Sequence, residues 1–147
     1  MTAANLSPYL VVTGAVDLTA VLPDAVETVA NPDWASGMAT SLRLAVQWAR
    51  NRGLDAVVVG LGDQPGVLAS AWRAIADADA VPIVVATYNG RRGHPVRLHR
   101  DVWGRLPADG DAGARAVMRE SPQLVCEVAC DGDPADVDTV EDLNRWR

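Results

Sequence analysis

A three-layer α/β fold with a mainly parallel sheet is the fold class this sequence predicts, on three observations. Short β-branched runs alternate with stretches of helical periodicity along the whole chain. The helical stretches between runs are roughly 10 to 16 residues, the length that a crossover between parallel strands requires. The run "LDAVVVGLG" (54–62) is apolar almost throughout and bounded by glycine, as befits a strand buried on both faces. It predicts a central strand over Val57 to Leu61.

The elements follow in order. "YLVVTG" (9–14) and "AVETVAN" (25–31) are strand-like. "SGMATSLRLAVQWARNRG" (36–53) carries Met38, Leu42, Ala45, Val46 and Ala49 at helical spacing, with Ser36 available as cap and Gly53 as stop. The strand at 57–61 comes next, and Pro65 ends its ladder. A second amphipathic helix presents Leu68, Trp72 and Ile75 on one side. "VPIVVATY" (81–88) is a strand and "NGRRGHPV" (89–96) a glycine-rich basic loop. "RDVWGRL" makes about two helical turns, and "GDAGARAVMRES" opens another helix before Pro122. "QLVCEVAC" is a strand, and "DGDPADVDTVEDLNRWR" runs through an acidic loop into a terminal helix capped by Thr139, with Asp142 as capping-box partner.

A chain of 147 residues is long enough for one core, and we expect a single domain over 1–147. Its 49% apolar and 22% charged content are those of a globular protein. No apolar run approaches the roughly 18 residues needed to span a bilayer, and the N-terminus lacks a signal-peptide pattern. These features predict a cytoplasmic protein with no membrane partner. A net charge of -6 argues against nucleic acid as a partner. All 13 basic residues are arginine, which removes Schiff-base chemistry and lysine–phosphate contacts. Cys126 and Cys130, four residues apart in one strand, sit too far apart to pair and are read as small core hydrophobes. Of the five tryptophans, all but Trp34 are read as mostly core.

Several side chains could carry chemistry. Asp63 follows "GLG" at the carboxyl end of a strand, where α/β sheets bind ligands. Its carboxylate could hold Mg²⁺ beside substrate phosphates, or "GDQPG" could be a turn in which Asp63 caps the next helix. In "ADVDT", Asp136 and Asp138 share a face if the stretch is extended. Asp136 reads better as an acid favouring the helix dipole; for Asp138 the choice between helix acid and metal ligand is even. Arg91, Arg92 and His94 lie on the glycine-rich stretch, suited either to binding phosphate or to a solvated hairpin tip.

Taken in sequence, "NPDWASGMATSL", "VVVGLGDQPGV", "PIVVATYNGRRGHPV", "GDAGARAVM" and "DVDTVEDL" resemble the MobA-like NTP transferases, in particular the molybdopterin cytidylyltransferase branch. The resemblance spans roughly residues 10 to 147, and "LGDQP" and "RGHPV" are its strongest parts. It implies a Rossmann-like fold that transfers CMP or GMP from CTP or GTP to molybdopterin, with Mg²⁺ as cofactor. By this resemblance Asp63 and Asp138 are the catalytic, metal-binding acids. Asn31, Gly37, Met38 and Ser41 border the nucleotide and acceptor, Gly37 giving close approach. Gln64 and Arg92 join the substrate contacts, and Gly93, His94 and Pro95 line the acceptor pocket.

The family also begins with a strand and a glycine-rich loop of the type "LAAGxSxRxGxxK", and this sequence starts beyond that pattern. The expectation is therefore an N-terminally shortened nucleotidyltransferase fold, weak or inactive as this chain alone. Two other readings stand beside it: a non-catalytic nucleotide- or pterin-binding protein, and an oxidoreductase-like relative, the latter without a GxGxxG fingerprint. A homodimer is expected, since loss of the family's first strand would leave backbone groups unpaired.

Overall fold

The computed structural model describes residues 4–78 and 81–146. Arg147, the last residue of the expected terminal helix, lies outside them. The strands are β1 (Tyr9–Thr13), β2 (Val26–Ala30), β3 (Ala56–Val59), β4 (Ile83–Tyr88), β5 (Arg91–His99) and β6 (Val125–Ala129). The helices are α1 (Met38–Asn51), α2 (Ala69–Asp77), α3 (Arg100–Trp103), α4 (Ala114–Glu120) and α5 (Val140–Asn144). The chain divides into two compact units, one built on 58–98 and 125–146, the other on 6–57 and 99–124.

The first unit is organised by a four-stranded sheet of order β3-β5-β4-β6. All six residues of β4 are buried, and β6 runs parallel to it, Ile83 opposite Val125 through Thr87 opposite Ala129. Ile75 of α2 packs on Val84, Ala86 and Tyr88, with Val58, Val128 and Cys130 around them. Val67 makes an isolated antiparallel bridge to Gly132.

Two expectations are corrected here. The segment read as a basic loop is strand β5, antiparallel to β4. Asn89 and Gly90 both adopt positive φ (51° and 76°), the backbone that a tight two-residue hairpin needs. The folded-back strand takes the place next to β4. Consequently β3 ends its sheet, and each of its residues is only half-buried. The strand buried throughout is β4, rather than Val57 to Leu61.

In the second unit β1 and β2 form a parallel pair, Tyr9 opposite Val26 through Thr13 opposite Ala30. Helix α1 buries Ala39, Leu42, Val46 and Ala49, the i, i+3, i+4 stripe of an amphipathic helix. It begins after Gly37, not at a Ser36 cap, because Ser36 belongs to a preceding 3-10 turn, Trp34–Ser36. Gly53, at φ 67°, stops it as read. Glu27 accepts from the Trp48 indole (3.1 Å) and pairs with Arg52, whose guanidinium lies 4.2 Å from the Trp48 ring centroid. These contacts fasten β2 to α1.

Trp72 and Trp103 are buried, whereas Trp34 and Trp146 are half-exposed. Cys126 and Cys130 are free thiols, both half-buried. Burial, reinforced by Asp131, pushes the Cys130 thiol up and keeps it protonated. No helix among the described residues is long and apolar enough to cross a membrane.

Candidate functional site

In the first unit three segments meet at one end of the sheet. The turn after β3 carries Asp63 and Gln64. The Asp63 carbonyl accepts from the Val137 amide at 2.8 Å, and the Gly66 carbonyl from the Asp133 amide at 3.0 Å. The acidic loop therefore runs alongside the "GDQPG" turn, fastened at two points. Gln64 donates from Nε2 to the Pro134 carbonyl (3.0 Å) and to Asp136 Oδ1 (2.8 Å). Asp136, read as a helix acid, is instead an acceptor for this amide.

Glycines make the approach possible. A β-carbon at Gly66 would collide with the Asp133 carbonyl and lie 2.5 Å from Trp146 Cη2. At Gly132, with φ 124°, it would meet the Gly66 carbonyl at 2.8 Å. Gly60, the first glycine of "GLG", makes room for the protein itself, since a β-carbon there would reach Trp72 Cζ2 at 2.6 Å. Gly62, adjacent to Asp63, has open space around it.

The third segment is β5. Opposite the break between Val85 and Ala86 the register jumps from Val96 to Gly93, so His94 and Pro95 form a bulge. The Tyr88 hydroxyl donates to the His94 carbonyl at 2.7 Å. Tyr88 is 4% exposed, and burial, with Cys130 adding to it, pushes its phenol up to about 12. A β-carbon at Gly93 would lie 3.2 Å from the Tyr88 ring and 3.5 Å from Pro134 Cβ. The "RGHPV" strand thus sits against the acidic loop that Gln64 holds. Arg92, half-exposed, pairs through its Nε with Glu127 Oε1 on β6 at 2.7 Å. Arg91 is exposed at the hairpin tip.

Asp63 and Asp138 are both exposed, on segments joined by the Val137–Asp63 hydrogen bond. Among the described residues no three His, Cys, Asp or Glu side chains gather into a metal cage. Mg²⁺ needs only one or two protein carboxylates, since it keeps waters and takes its other oxygens from substrate phosphates. Thr139 caps α5 as read, with the reciprocal Asp142 contact. This helix fixes the chain direction directly after Asp138.

The second unit holds Asn31, Gly37, Met38 and Ser41, and builds them into its own framework. Asn31 is 3% exposed. Its Nδ2 donates to Thr40 Oγ1 (2.8 Å) and Ser41 Oγ (2.9 Å), and its Oδ1 accepts from the Asp33 amide (2.9 Å). Gly37 does give close approach, at φ 107°, but to the Gly110 backbone, which a β-carbon would meet at 2.5 Å. The first amides of α1 are occupied in the same way: Met38 donates to Asp111 Oδ1 (3.2 Å) and Ala39 to the Gly110 carbonyl (2.9 Å). The partners Gly110 and Asp111, 73 residues along the chain in the case of Met38, carry no local signal that would have named them.

Known proteins bear on this arrangement. The model of the MobA-like NTP transferase domain matches residues 1–125. The nicotine blue oxidoreductase of Paenarthrobacter nicotinovorans is 32% identical over 157 aligned positions, covering 97% of this chain and 66% of that protein. The chain therefore spans about two thirds of that relative's length. Rv0371c of Mycobacterium tuberculosis H37Rv, solved as a complex with manganese, is 31% identical with a TM-score of 0.79, covering 98% of this chain and 79% of that one. A nucleotidyl transferase from Methanothermobacter shares the fold at a TM-score of 0.75 and 22% identity, over 99% and 74% of the two chains. The chain belongs to the MobA-like NTP transferase family, with its α/β, Rossmann-like fold.

Proposed function

We propose that this protein is a nucleotidyltransferase that passes CMP or GMP from CTP or GTP to a molybdopterin-like phosphate acceptor. The observation that carries the reading is the meeting of the "LGDQP" turn, the "RGHPV" strand and the "ADVD" loop around two exposed carboxylates. In this reading Asp63 and Asp138 would hold Mg²⁺, which would supply neutralisation of the triphosphate charge. The chain's own part is positioning, as in phosphoryl transfer generally. The Tyr88 hydroxyl, bonded to the His94 carbonyl, holds the bulge at His94 and Pro95 in place, with Pro95 itself fully buried.

The test is pyrophosphate release from CTP and from GTP with molybdopterin and Mg²⁺, with an Asp63→Ala variant beside it. Turnover by this chain is expected to be weak, because it has no lysine to hold the triphosphate, and Asp63→Ala should remove what there is. Equal rates in the two proteins would refute the assignment of Asp63.

A second reading is favoured by the 32% identity to the nicotine blue oxidoreductase. It gives the same acceptor region a small heteroaromatic substrate that is reduced by a nicotinamide cofactor. Pyridine-nucleotide oxidation in the presence of such a compound, without nucleoside triphosphate, would select it over transfer.

A further inference from the structure

We infer that Gln64 is a positioning residue: its amide clamps loop 133–138 onto the Asp63 turn and so sets how Asp138 stands to Asp63. For its consequence at the metal the inference rests on the nucleotidyltransferase reading; the clamp itself rests on geometry alone.

Three features of the amide lead there. Both hydrogen bonds donated by Nε2 go to the same loop, at the Pro134 carbonyl and Asp136 Oδ1. The backbone bonds at Asp133 and Val137 hold the two ends of that loop, and Gln64 holds its middle. Asp138 follows two residues after Asp136, so the loop's conformation decides where its carboxylate lies. The other amide atom, Oε1, is buried and has no partner. A buried acceptor left unsatisfied is costly. A side chain selected for packing alone would not carry that atom. What the amide supplies is the pair of donated bonds, and the loop they hold is the one that abuts Gly93 through Pro134.

A near-isosteric variant separates this role from a merely structural one. Gln64→Met removes the two donors and the orphaned acceptor together, so its thermal midpoint should stay within a few degrees of wild type. In metal-free protein the amides of Asp133 and Val137 should exchange about tenfold faster with deuterium. Mn²⁺ affinity, read by the loss of free-ion electron spin resonance signal, should weaken about 10- to 100-fold, the range for groups that orient metal ligands. Asp136→Asn keeps an acceptor for Nε2 and should leave the exchange near wild type. Unchanged exchange at Asp133 and Val137 in Gln64→Met would overturn the clamp. Faster exchange with unchanged Mn²⁺ affinity, where Asp63→Asn abolishes binding, would overturn the positioning role. Mn²⁺ binding indifferent to Asp63→Asn would instead remove the metal reading, while the exchange result still decides the clamp.

Discussion

Asn31 is the residue at which a substrate role and a scaffold role separate most cleanly, and the structure argues for scaffold. Replacing it by alanine removes three side-chain hydrogen bonds from a site only 3% exposed. Each contributes about 0.5–1.5 kcal/mol net, so the sum is roughly 1.5–4.5 kcal/mol. The upper end is not reached, because the hydroxyls can turn to other partners. Thr40 Oγ1 already donates to the Gly37 carbonyl at 2.8 Å. The Asp33 amide has no such freedom and is left without its acceptor. We therefore expect a loss of about 2–3 kcal/mol, measured by urea unfolding at 25 °C with an unchanged m-value. In a chain of this size that lowers the thermal midpoint by about 4–12 °C. A loss below about 0.5 kcal/mol, together with a tenfold fall in nucleotide affinity, would refute the reasoning and return Asn31 to the ligand.

Two further outcomes are expected. Gly66→Ala drives a methyl group into the Asp133 carbonyl and the Trp146 ring, and should cost about 1–3 kcal/mol in denaturant unfolding. Gly62→Ala, with nothing within 4 Å, is its control and should change stability by under about 0.5 kcal/mol. Burial pushes the Tyr88 phenol from its ordinary 10 up to about 12, so between pH 10 and 12 the unfolded chain gives up a proton that the folded protein keeps. Stability must then fall as pH rises through that window, and Tyr88→Phe should flatten the fall in a pH series of unfolding curves. A decline equally steep in the variant would assign it to other groups.

The α/β alternation and most elements were legible because each rests on a local pattern. The stripe of Leu42, Val46 and Ala49, the stop at Gly53 and the capping box at Thr139 all lie within a few residues of what they specify. The hairpin was legible too, since Asn89-Gly90 is its local signal, but the basic character of the stretch drew the reading toward a loop. Placing β3 at the centre failed for a different reason. An apolar run reports burial, and it does not report which strand returns beside its neighbour.

The site was legible in its residue types and not in its partners. "LGDQP" announces an acid and an amide at a strand end, yet the two acceptors of Gln64 lie 70 and 72 residues further on. Nothing within the turn specifies them. The glycines mislead in the same way, because a missing β-carbon says that something comes close without saying what. At Gly37 it is Gly110, at Gly60 Trp72, at Gly66 Trp146 and the Asp133 carbonyl, and at Gly93 Tyr88 and Pro134. In each case the neighbour is the protein. Gly62 is the exception within the turn, with no atom near its missing side chain, and it immediately precedes Asp63. The open backbone beside the Asp63 carboxylate is therefore at Gly62, while Gly66 and Gly132 let the loops that carry Asp63 and Asp138 come together.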